Sequence, residues 1–444
     1  MKLQELSVEP WHSRLAPNNP RVDRRGDTLL TAALATPVCA GGWQMTYGGV
    51  TPGDSYRITA RVIHEGIGVP RDVIQCEAIW GKIDAAEAVK NPGAAWNHLI
   101  PSYENQFVTF SRIVAAPPGS EFLTIRYSFK WAERGSAEWS LPVIETATPS
   151  AERKARLCAV TGSEARITGA TVRNTMDSAE FYAALCREAC AAVKPDLIVL
   201  PEVALQWLLK SDHKSHALCI PSPEIDLIRG VARESAANIV LGTHLLDEHG
   251  HIRNSTVMIG EDGRVRGCYY KMHLALGENE SGTLPGDEMP VWNTSAGRIA
   301  CNICMDSSAL ESSRLAALGG ADILALSIMG DFRASRWSMG MPRFDDDRFR
   351  AIMRVRAMDS ALFFVVARNR VKGSCVVDPT GEVLTWNDGA ADFAHADVNL
   401  DFNPRAWNGC FARDALYLQR RPHLYGAFCD TANYGQCLGI DQGQ

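Results

Sequence analysis

The sequence changes its pattern at about residue 150, and this change limits what the chain can fold into. Before that point, short segments rich in β-branched and aromatic residues, such as 55–62 and 122–129, alternate with turn sequences such as Thr51-Pro-Gly-Asp. This pattern is typical of short antiparallel strands joined by tight turns. We therefore predict an all-β sandwich over residues 1–147.

After that point, apolar strands alternate with helices. A strand at 155–161 precedes a helix capped at Asp177, and the helix ends before Pro195. The alternation continues to a helix over 346–360 and a strand after it. Strands that alternate with helices predict a layered α/β domain whose sheets are covered by helices. A chain of 444 residues is long enough for two domains, and we place the second at 148–444.

Composition excludes several classes of protein. The net charge is −6 and no long basic run occurs, so we expect no nucleic-acid partner. The longest apolar stretches, such as 361–367, are far shorter than the roughly 18 residues of a membrane span. The N-terminal segment lacks the apolar core of a secretory signal. We expect a cytoplasmic protein without a membrane partner, in which most of the thirteen cysteines are buried thiols.

Three chemically reactive side chains follow apolar strands. Glu202 comes after the strand at 196–200, Lys271 ends a strand, and Cys304 ends another. Sites in α/β sheets commonly form where strands end. A thiol with its ordinary pKa near 8.5 needs a base or a nearby cation to become nucleophilic. Each of these residues alone is more often structural than catalytic, but their occurrence together, in this order, is informative.

The three segments resemble motifs of the nitrilase superfamily of carbon–nitrogen hydrolases. Asp196-Leu-Ile-Val-Leu-Pro-Glu202 is similar to the base motif, Tyr270-Lys-Met-His-Leu to the lysine motif, and Ile303-Cys-Met-Asp306 to the nucleophile motif. Weaker similarities extend the resemblance over about 155–428. The resemblance implies an α/β four-layer α-β-β-α sandwich for the second domain.

The resemblance also implies a site and a reaction. Cys304 would be the nucleophile, Glu202 the base and Lys271 their electrostatic partner, with the backbone N–H of Met305 as a second oxyanion donor. The reaction implied is hydrolysis of a non-peptide C–N bond in a small amide or N-carbamoyl compound, through a thioester and with release of ammonia or an amine. It needs neither cofactor nor metal, and a homo-oligomer, a dimer or larger, is implied.

The family has a second glutamate after the lysine, which helps to position the lysine and the substrate. Glu278 and Glu280 are both candidates for it in this sequence. We favour Glu280 because of its distance to the turn at Pro285-Gly.

The first domain resembles the jelly-roll modules that often bind carbohydrates, through Gly41-Gly-Trp, Pro117-Pro-Gly-Ser and Trp139-Ser-Leu. Tryptophan in a sandwich belongs to the core more often than to a ligand surface. The sequence leaves open whether this domain covers the pocket, extends an interface or binds a ligand.

Other functions remain open at this point. True nitrilases and acyl-transferring members share the same three residues, and a non-catalytic scaffold that binds ligands through the sandwich is an alternative of another class. Cys301 and Cys304 also form a C-x-x-C pair, which can indicate a redox or zinc site. Residues three apart in a strand point to opposite faces, so we expect neither.

Overall fold

The computed structural model describes residues 3–82, 95–149, 151–209, 212–330, 332–369, 372–405 and 411–429. The chain divides into two compact units, Met1–Ala151 with Asn403–Gln444, and Glu152–Phe402. The first boundary lies close to the predicted one. The sequence assigned the whole of 148–444 to the second domain, whereas the structure groups the segment from Asn403 onward with the first unit.

The first unit contains two antiparallel sheets, which confirms the predicted sandwich. Its strands are β1 (Gln4–His12), β2 (Arg21–Arg25), β3 (Thr28–Ala32), β4 (Ala40–Gly48), β5 (Ser55–Glu65), β6 (Ile74–Gly81), β7 (Trp96–His98), β8 (Ile100–Glu104), β9 (Phe107–Ala115), β10 (Phe122–Lys130), β11 (Ser136–Ser140) and β12 (Val143–Ala147). One sheet has the order β1-β4-β10-β6-β7 and the other β2-β3-β11-β5-β9-β8, with β12 paired to β5. A short helix, α1 (Pro70–Val73), precedes β6.

Tryptophans divide between the core and the surface of this unit. Trp43, Trp80 and Trp139 are buried, and Trp139 stacks on Tyr127 with ring centroids 4.3 Å apart. Trp131, in contrast, is 61% exposed. The expectation that tryptophan belongs to the core therefore holds for half of the six in this region, and the others lie partly or largely at the surface.

The C-terminal segment packs on the sandwich within the first unit. Its helix, α8 (Ala412–Leu418) in chain order, carries the buried Asp414, which forms an ion pair with Arg112 of β9. Arg421, just after this helix, forms a second ion pair with Asp72 of α1 at 3.1 Å. These contacts attach the segment around α8 to β9 and to α1.

The second unit consists of two six-stranded sheets and the helices that cover them. The strands are β13 (Lys154–Val160), β14 (Leu197–Val199), β15 (Asn238–Leu246), β16 (Ile252–Ile259), β17 (Val265–Tyr270), β18 (Trp292–Thr294), β19 (Gly297–Ile303), β20 (Ile323–Ile328), β23 (Phe363–Arg368), β24 (Cys375–Val377), β25 (Val383–Trp386) and β26 (Phe393–Asn399), with a small hairpin of β21 (Ser335–Ser338) and β22 (Met341–Phe344). The helices are α2 (Glu164–Gly169), α3 (Thr175–Val193), α4 (Pro223–Ser235), α5 (Leu276–Glu280), α6 (Leu310–Leu318) and α7 (Asp346–Ser360).

Four layers result, as the resemblance implied. The sheets have the orders β17-β16-β15-β14-β13-β26 and β18-β19-β20-β23-β24-β25. One apolar cluster lies between α3, α4 and the first sheet, a second between the two sheets, and a third between the second sheet, α6 and α7. The central strands are buried on both faces, which is why their sequences are continuous apolar runs.

Helix α3 begins slightly earlier than the sequence predicted. The prediction placed the cap at Asp177, whereas the helix begins at Thr175, because the side chain of Asn174 accepts a hydrogen bond from the backbone N–H of Asp177. Asparagine is among the preferred residues for this capping position. In the described part of the chain, no helix is long and apolar enough to cross a bilayer.

Candidate active site

The strand ends of the second unit bring the predicted residues together. Glu202 lies just after β14, whose neighbours β13 and β15 run parallel to it, and Lys271 directly follows β17 of the same sheet. Cys304 directly follows β19 of the facing sheet. The hydroxyl of Ser327 in β20 donates to the backbone carbonyl of Leu200 at 2.7 Å, which ties the two sheets together beside the site.

Lys271 occupies the centre of the site. Its ammonium donates to Oε1 of Glu202 at 2.8 Å and to Oε2 of Glu278 at 2.8 Å. The side chain of Lys271 is only 2% exposed, and that of Glu202 only 5%. Buried charges are stable only when they are paired and hydrogen-bonded, and this cluster meets that condition.

Further donors fix the two carboxylates. The side-chain amide of Asn254 donates to Oε1 of Glu202 at 2.8 Å and also to Oε1 of Glu278. The backbone N–H of Met329 donates to Oε2 of Glu202 at 2.7 Å. These N–H donors hold the oxygens of both carboxylates in fixed positions beside Lys271.

The structure corrects the choice between the two glutamates after the lysine. Glu278, and not Glu280, contacts Lys271. Glu278 is the third residue of α5, and its carboxylate folds back to accept a hydrogen bond from the N–H of Ala275 at 2.7 Å. Glu280 lies two residues later, which places it on the other side of the helix, and it is exposed.

The charges of this cluster shift its pKa values. Burial by itself lowers the pKa of Lys271, but the negative charges of Glu202 and Glu278 outweigh burial and raise it. For Glu278, burial raises the pKa, and the nearby Lys271 with the hydrogen bond from Asn254 reverses this, so that the pKa is lowered. The lysine is therefore a cation and Glu278 an anion near neutral pH.

Cys304 lies in a strained turn beside this cluster. Its φ is +44°, in the left-handed region, which costs about 1–3 kcal/mol for a residue other than glycine. The thiol donates to the carbonyl of Gly330 at 2.7 Å. Burial and the charge of Glu202 raise its pKa, while Lys271 acts in the opposite direction. The Cys304 thiol is therefore protonated near neutral pH.

The other cysteine of the C-x-x-C pair belongs to the apolar core. Cys301 is fully buried within β19 among the apolar residues between the two sheets. Cys304, after the strand, begins a 3-10 turn that runs to Ser308. Met305 is in the first turn of that short helix, where backbone N–H groups lack an intrahelical acceptor.

Several residues of the site were not assigned a role from the sequence. Asn254 lies within β16, in a stretch that gives no local sign of a site. Met329 contributes only its backbone N–H, and Asn369 donates to the backbone carbonyl of Glu202 at 3.1 Å. A charged residue directly after an apolar strand makes Glu202 recognisable in the sequence. No such pattern marks Asn254, Met329 or Asn369.

The two glutamates after Lys271 can be distinguished by matched substitutions. With the roles that the resemblance implies, we expect Glu278→Gln to lower turnover by about 100-fold, because it loosens the placement of Lys271 and a displacement of about 1 Å has that effect. Glu280→Gln should leave turnover within twofold of the wild type, because Glu280 is exposed. Steady-state rates of ammonia release compare the two variants. A larger loss for Glu280→Gln would contradict the placement of the second glutamate at 278.

Comparison with known proteins shows the family of this chain. The family model described as carbon-nitrogen hydrolase matches residues 167–402. The match covers more than half of the chain, and the chain therefore belongs to the carbon–nitrogen hydrolase family. This confirms the resemblance to the nitrilase superfamily. The segment after residue 402, which the sequence included in the resemblance, lies outside the match.

Individual relatives are distant. The chain is 29% identical over 153 residues to a probable hydrolase of Bacillus subtilis, covering 33% of this chain and 29% of that protein. It is 30% identical over 173 residues to a probable nitrilase of Schizosaccharomyces pombe, covering 36% and 59%. It is 29% identical over 226 residues to a citrullinase of Francisella tularensis, covering 46% and 74%. The chain thus spans less than two thirds of the length of the first two relatives.

A solved carbon–nitrogen hydrolase from Helicobacter pylori has a TM-score of 0.49 to this chain at 18% identity, and the alignment covers 62% of this chain and 98% of that one.

Proposed function

We propose that this chain hydrolyses a non-peptide C–N bond in a small amide or N-carbamoyl compound, through a thioester on Cys304. The observation that carries the proposal is the buried ammonium of Lys271, which donates to two carboxylates beside a thiol. Replacing buried ion pairs by apolar side chains is often neutral or stabilising, so such a cluster is poorly explained by stability alone. Membership in the carbon–nitrogen hydrolase family supports the same reaction class.

Acylation begins with the neutral thiol of Cys304. Glu202 accepts the thiol proton as Sγ bonds to the substrate carbonyl carbon, and the carbonyl π electrons move to oxygen. The ammonium of Lys271 and the N–H of Met305 stabilise this oxyanion, because donors fixed in a dry site need no reorganisation as charge develops. Glu202 then returns its proton to the substrate nitrogen, the C–N bond breaks, and ammonia or an amine leaves.

Deacylation again uses Glu202, Lys271 and Cys304. Water attacks the thioester carbon while Glu202 accepts one of its protons, and the oxyanion forms again beside Lys271. The C–S bond breaks, the thiolate of Cys304 takes the proton back, and the acid product leaves. A single carboxylate thus acts alternately as base and acid, as general acid–base catalysis permits.

Intact-mass spectrometry tests the proposal directly. Wild type and Cys304→Ala are incubated with a panel of small amides, N-carbamoyl compounds and nitriles while released ammonia is assayed. We expect wild type alone to gain the mass of one acyl group and to release ammonia. Cys301→Ala is the matched control: Cys301 lies three residues earlier, within β19, so this variant should retain both the adduct and the ammonia.

Other outcomes of this experiment would indicate a different function. Turnover of nitriles but not of amides indicates a true nitrilase. Transfer of the acyl group to an added amine in preference to water indicates an acyltransferase. The absence of both adduct and ammonia over the whole panel, in a folded wild-type protein, contradicts the proposal and favours a scaffold.

A further inference from the structure

Asp306 connects the segment that carries Lys271 with the segment that carries Cys304. It is fully buried. Its Oδ2 accepts a hydrogen bond from the hydroxyl of Tyr269 at 2.6 Å and another from the backbone N–H of Ile303 at 2.9 Å. Ile303 immediately precedes the nucleophile, so one carboxylate oxygen already spans both segments.

The other oxygen binds the far side of the lysine segment. Oδ1 accepts a hydrogen bond from the backbone N–H of His273 at 2.9 Å, and the ring Nδ1 of His273 lies 2.8 Å from it. The hydrogen bond to Asp306 raises the pKa of His273, as expected for a ring nitrogen that donates to a carboxylate. Tyr269 and His273 flank Lys271 two residues away on either side.

We propose that Asp306 is a positioning residue that sets the placement of the Lys271 ammonium relative to the Cys304 thiol, with Tyr269 and His273 as its partners. The inference deepens the proposed function and rests on the roles given there to Lys271 and Cys304. Asp306 itself contacts neither of those two reactive groups in the hydrogen bonds described. Its effect is exerted through the chain on both sides of them.

The turn at Cys304 explains why a fixed anchor is needed. A left-handed conformation at a residue other than glycine persists only when its surroundings enforce it. Asp306 holds the N–H before the cysteine, and the hydroxyl of Ser307 donates to the carbonyl of Cys304 at 2.7 Å. Arg356, buried in α7, donates to the carbonyl of Ser307 at 2.9 Å. The strained turn is thus fixed from both ends.

The site specifies a carboxylate at position 306. Two oxygens receive four contacts, and the three non-imidazole partners are all donors. Asparagine has nearly the same shape but only one acceptor oxygen. Its NH2 group would face donors on one side, so that one pair of contacts must break and the lysine segment or the turn must shift.

Alkylation of Cys304 by iodoacetamide measures this placement without any substrate. Burial raises the pKa of this thiol; of the charged groups around it, Glu202 and Glu278 also raise the pKa and Lys271 lowers it. If Asp306→Asn moves Lys271 away, the pH midpoint of Cys304 alkylation should rise and the rate at pH 7 should fall about tenfold, one pKa unit being a factor of ten in thiolate. The exposed Cys219 is an internal control in the same digest.

The displacement of Lys271 should also lower the turnover rate. We expect Asp306→Asn to lower kcat by about 100-fold, the effect of roughly 1 Å of misplacement, and to leave KM within threefold. A residue that only stabilises the fold would lower Tm without changing kcat of the folded protein or the pH midpoint of alkylation.

A pair of substitutions at His273 keeps the proposal testable if Asp306→Asn does not fold. The side chain of His273 is 40% exposed, so it can be truncated with little cost to the core. His273→Ala should raise the alkylation midpoint, and His273→Asn should restore it, because the asparagine Nδ2–H can replace the ring Nδ1–H. Tyr269→Phe, which removes one donor, should give an intermediate shift.

Two results would overturn the inference. One is an unchanged alkylation midpoint in both Asp306→Asn and His273→Ala, with only Tm lowered. The other is equal shifts for His273→Ala and His273→Asn. Failure of the proposed function is distinguishable from both, since it appears as a missing wild-type adduct while the alkylation shifts persist.

Discussion

Replacing Lys271 with methionine is expected to lower kcat/KM by about 1,000-fold, the upper end for loss of one oxyanion donor. It should also lower the free energy of unfolding by about 3–5 kcal/mol, because removing one partner of a buried ion pair leaves uncompensated charge. Lys271 is 2% exposed and is hydrogen-bonded to both Glu202 and Glu278. Urea unfolding at pH 7 and ammonia release measure the two effects.

The pH dependence of the stability that Lys271→Met loses follows from the lowered pKa of Glu278. A carboxyl group with a lowered folded-state pKa contributes stability above its unfolded value, which is ordinarily 4.5. That contribution disappears as the pH falls through the lowered value. The stabilities of wild type and Lys271→Met should therefore converge in acid. Lys154→Met is the control, since the Lys154 side chain is 73% exposed, and its effect should stay within about 0.5 kcal/mol.

Replacing Glu202 with glutamine is expected to lower kcat by about 10²–10⁴-fold, the usual contribution of a positioned general base. Burial and the charge of Glu202 hold the pKa of Cys304 above its ordinary value, so the thiol is protonated at rest. Glutamine cannot accept the proton. Its NH2 group would also face a donor, because Lys271, Asn254 and Met329 all donate to Glu202.

Comparing an amide with the p-nitrophenyl ester of the same acyl group sharpens this test. The nitrophenolate leaves without a proton, so the loss for Glu202→Gln should be smaller with the ester than with the amide. Glu180→Gln, on the exposed face of α3, is the matched control and should resemble the wild type with both compounds. An amide rate in Glu202→Gln within twofold of the wild type would show that another group serves as base.

The sequence was sufficient to locate the three central side chains because each stands at or just after the end of a strand, in a segment that resembles a motif of the family. Residues 197–200 are buried on both faces, and a carboxylate placed just after such a strand must find a partner. Lys271 and Cys304 follow β17 and β19, which contain polar residues, so for these two the resemblance carries the prediction. The alternation of apolar strands and helices predicted a layered α/β domain, and the order of its four layers was implied by the resemblance.

The remaining contacts of the site depend on backbone geometry, which cannot be predicted from residue types alone. The choice between Glu278 and Glu280 is decided by where a five-residue helix begins and by the N–H of Ala275, which Glu278 caps. Met329 contributes a backbone N–H, a group that every residue except proline possesses. The left-handed conformation at Cys304 could not be predicted either, because that conformation is expected at glycine and the residue here is cysteine.

The assignment of the C-terminal segment to the first unit makes the hydrolase unit an insertion within the sandwich sequence. Strands β13 and β26, the first and last of the hydrolase unit, pair antiparallel, with Lys154 opposite Asn399. The chain therefore enters and leaves this unit at adjoining points, as inserted domains do when their termini lie close together. Two crossings join the units, so a single proteolytic cut near residue 150 cannot release them from each other. Truncation after residue 402 would instead remove Asp414, the ion-pair partner of Arg112 in the first unit.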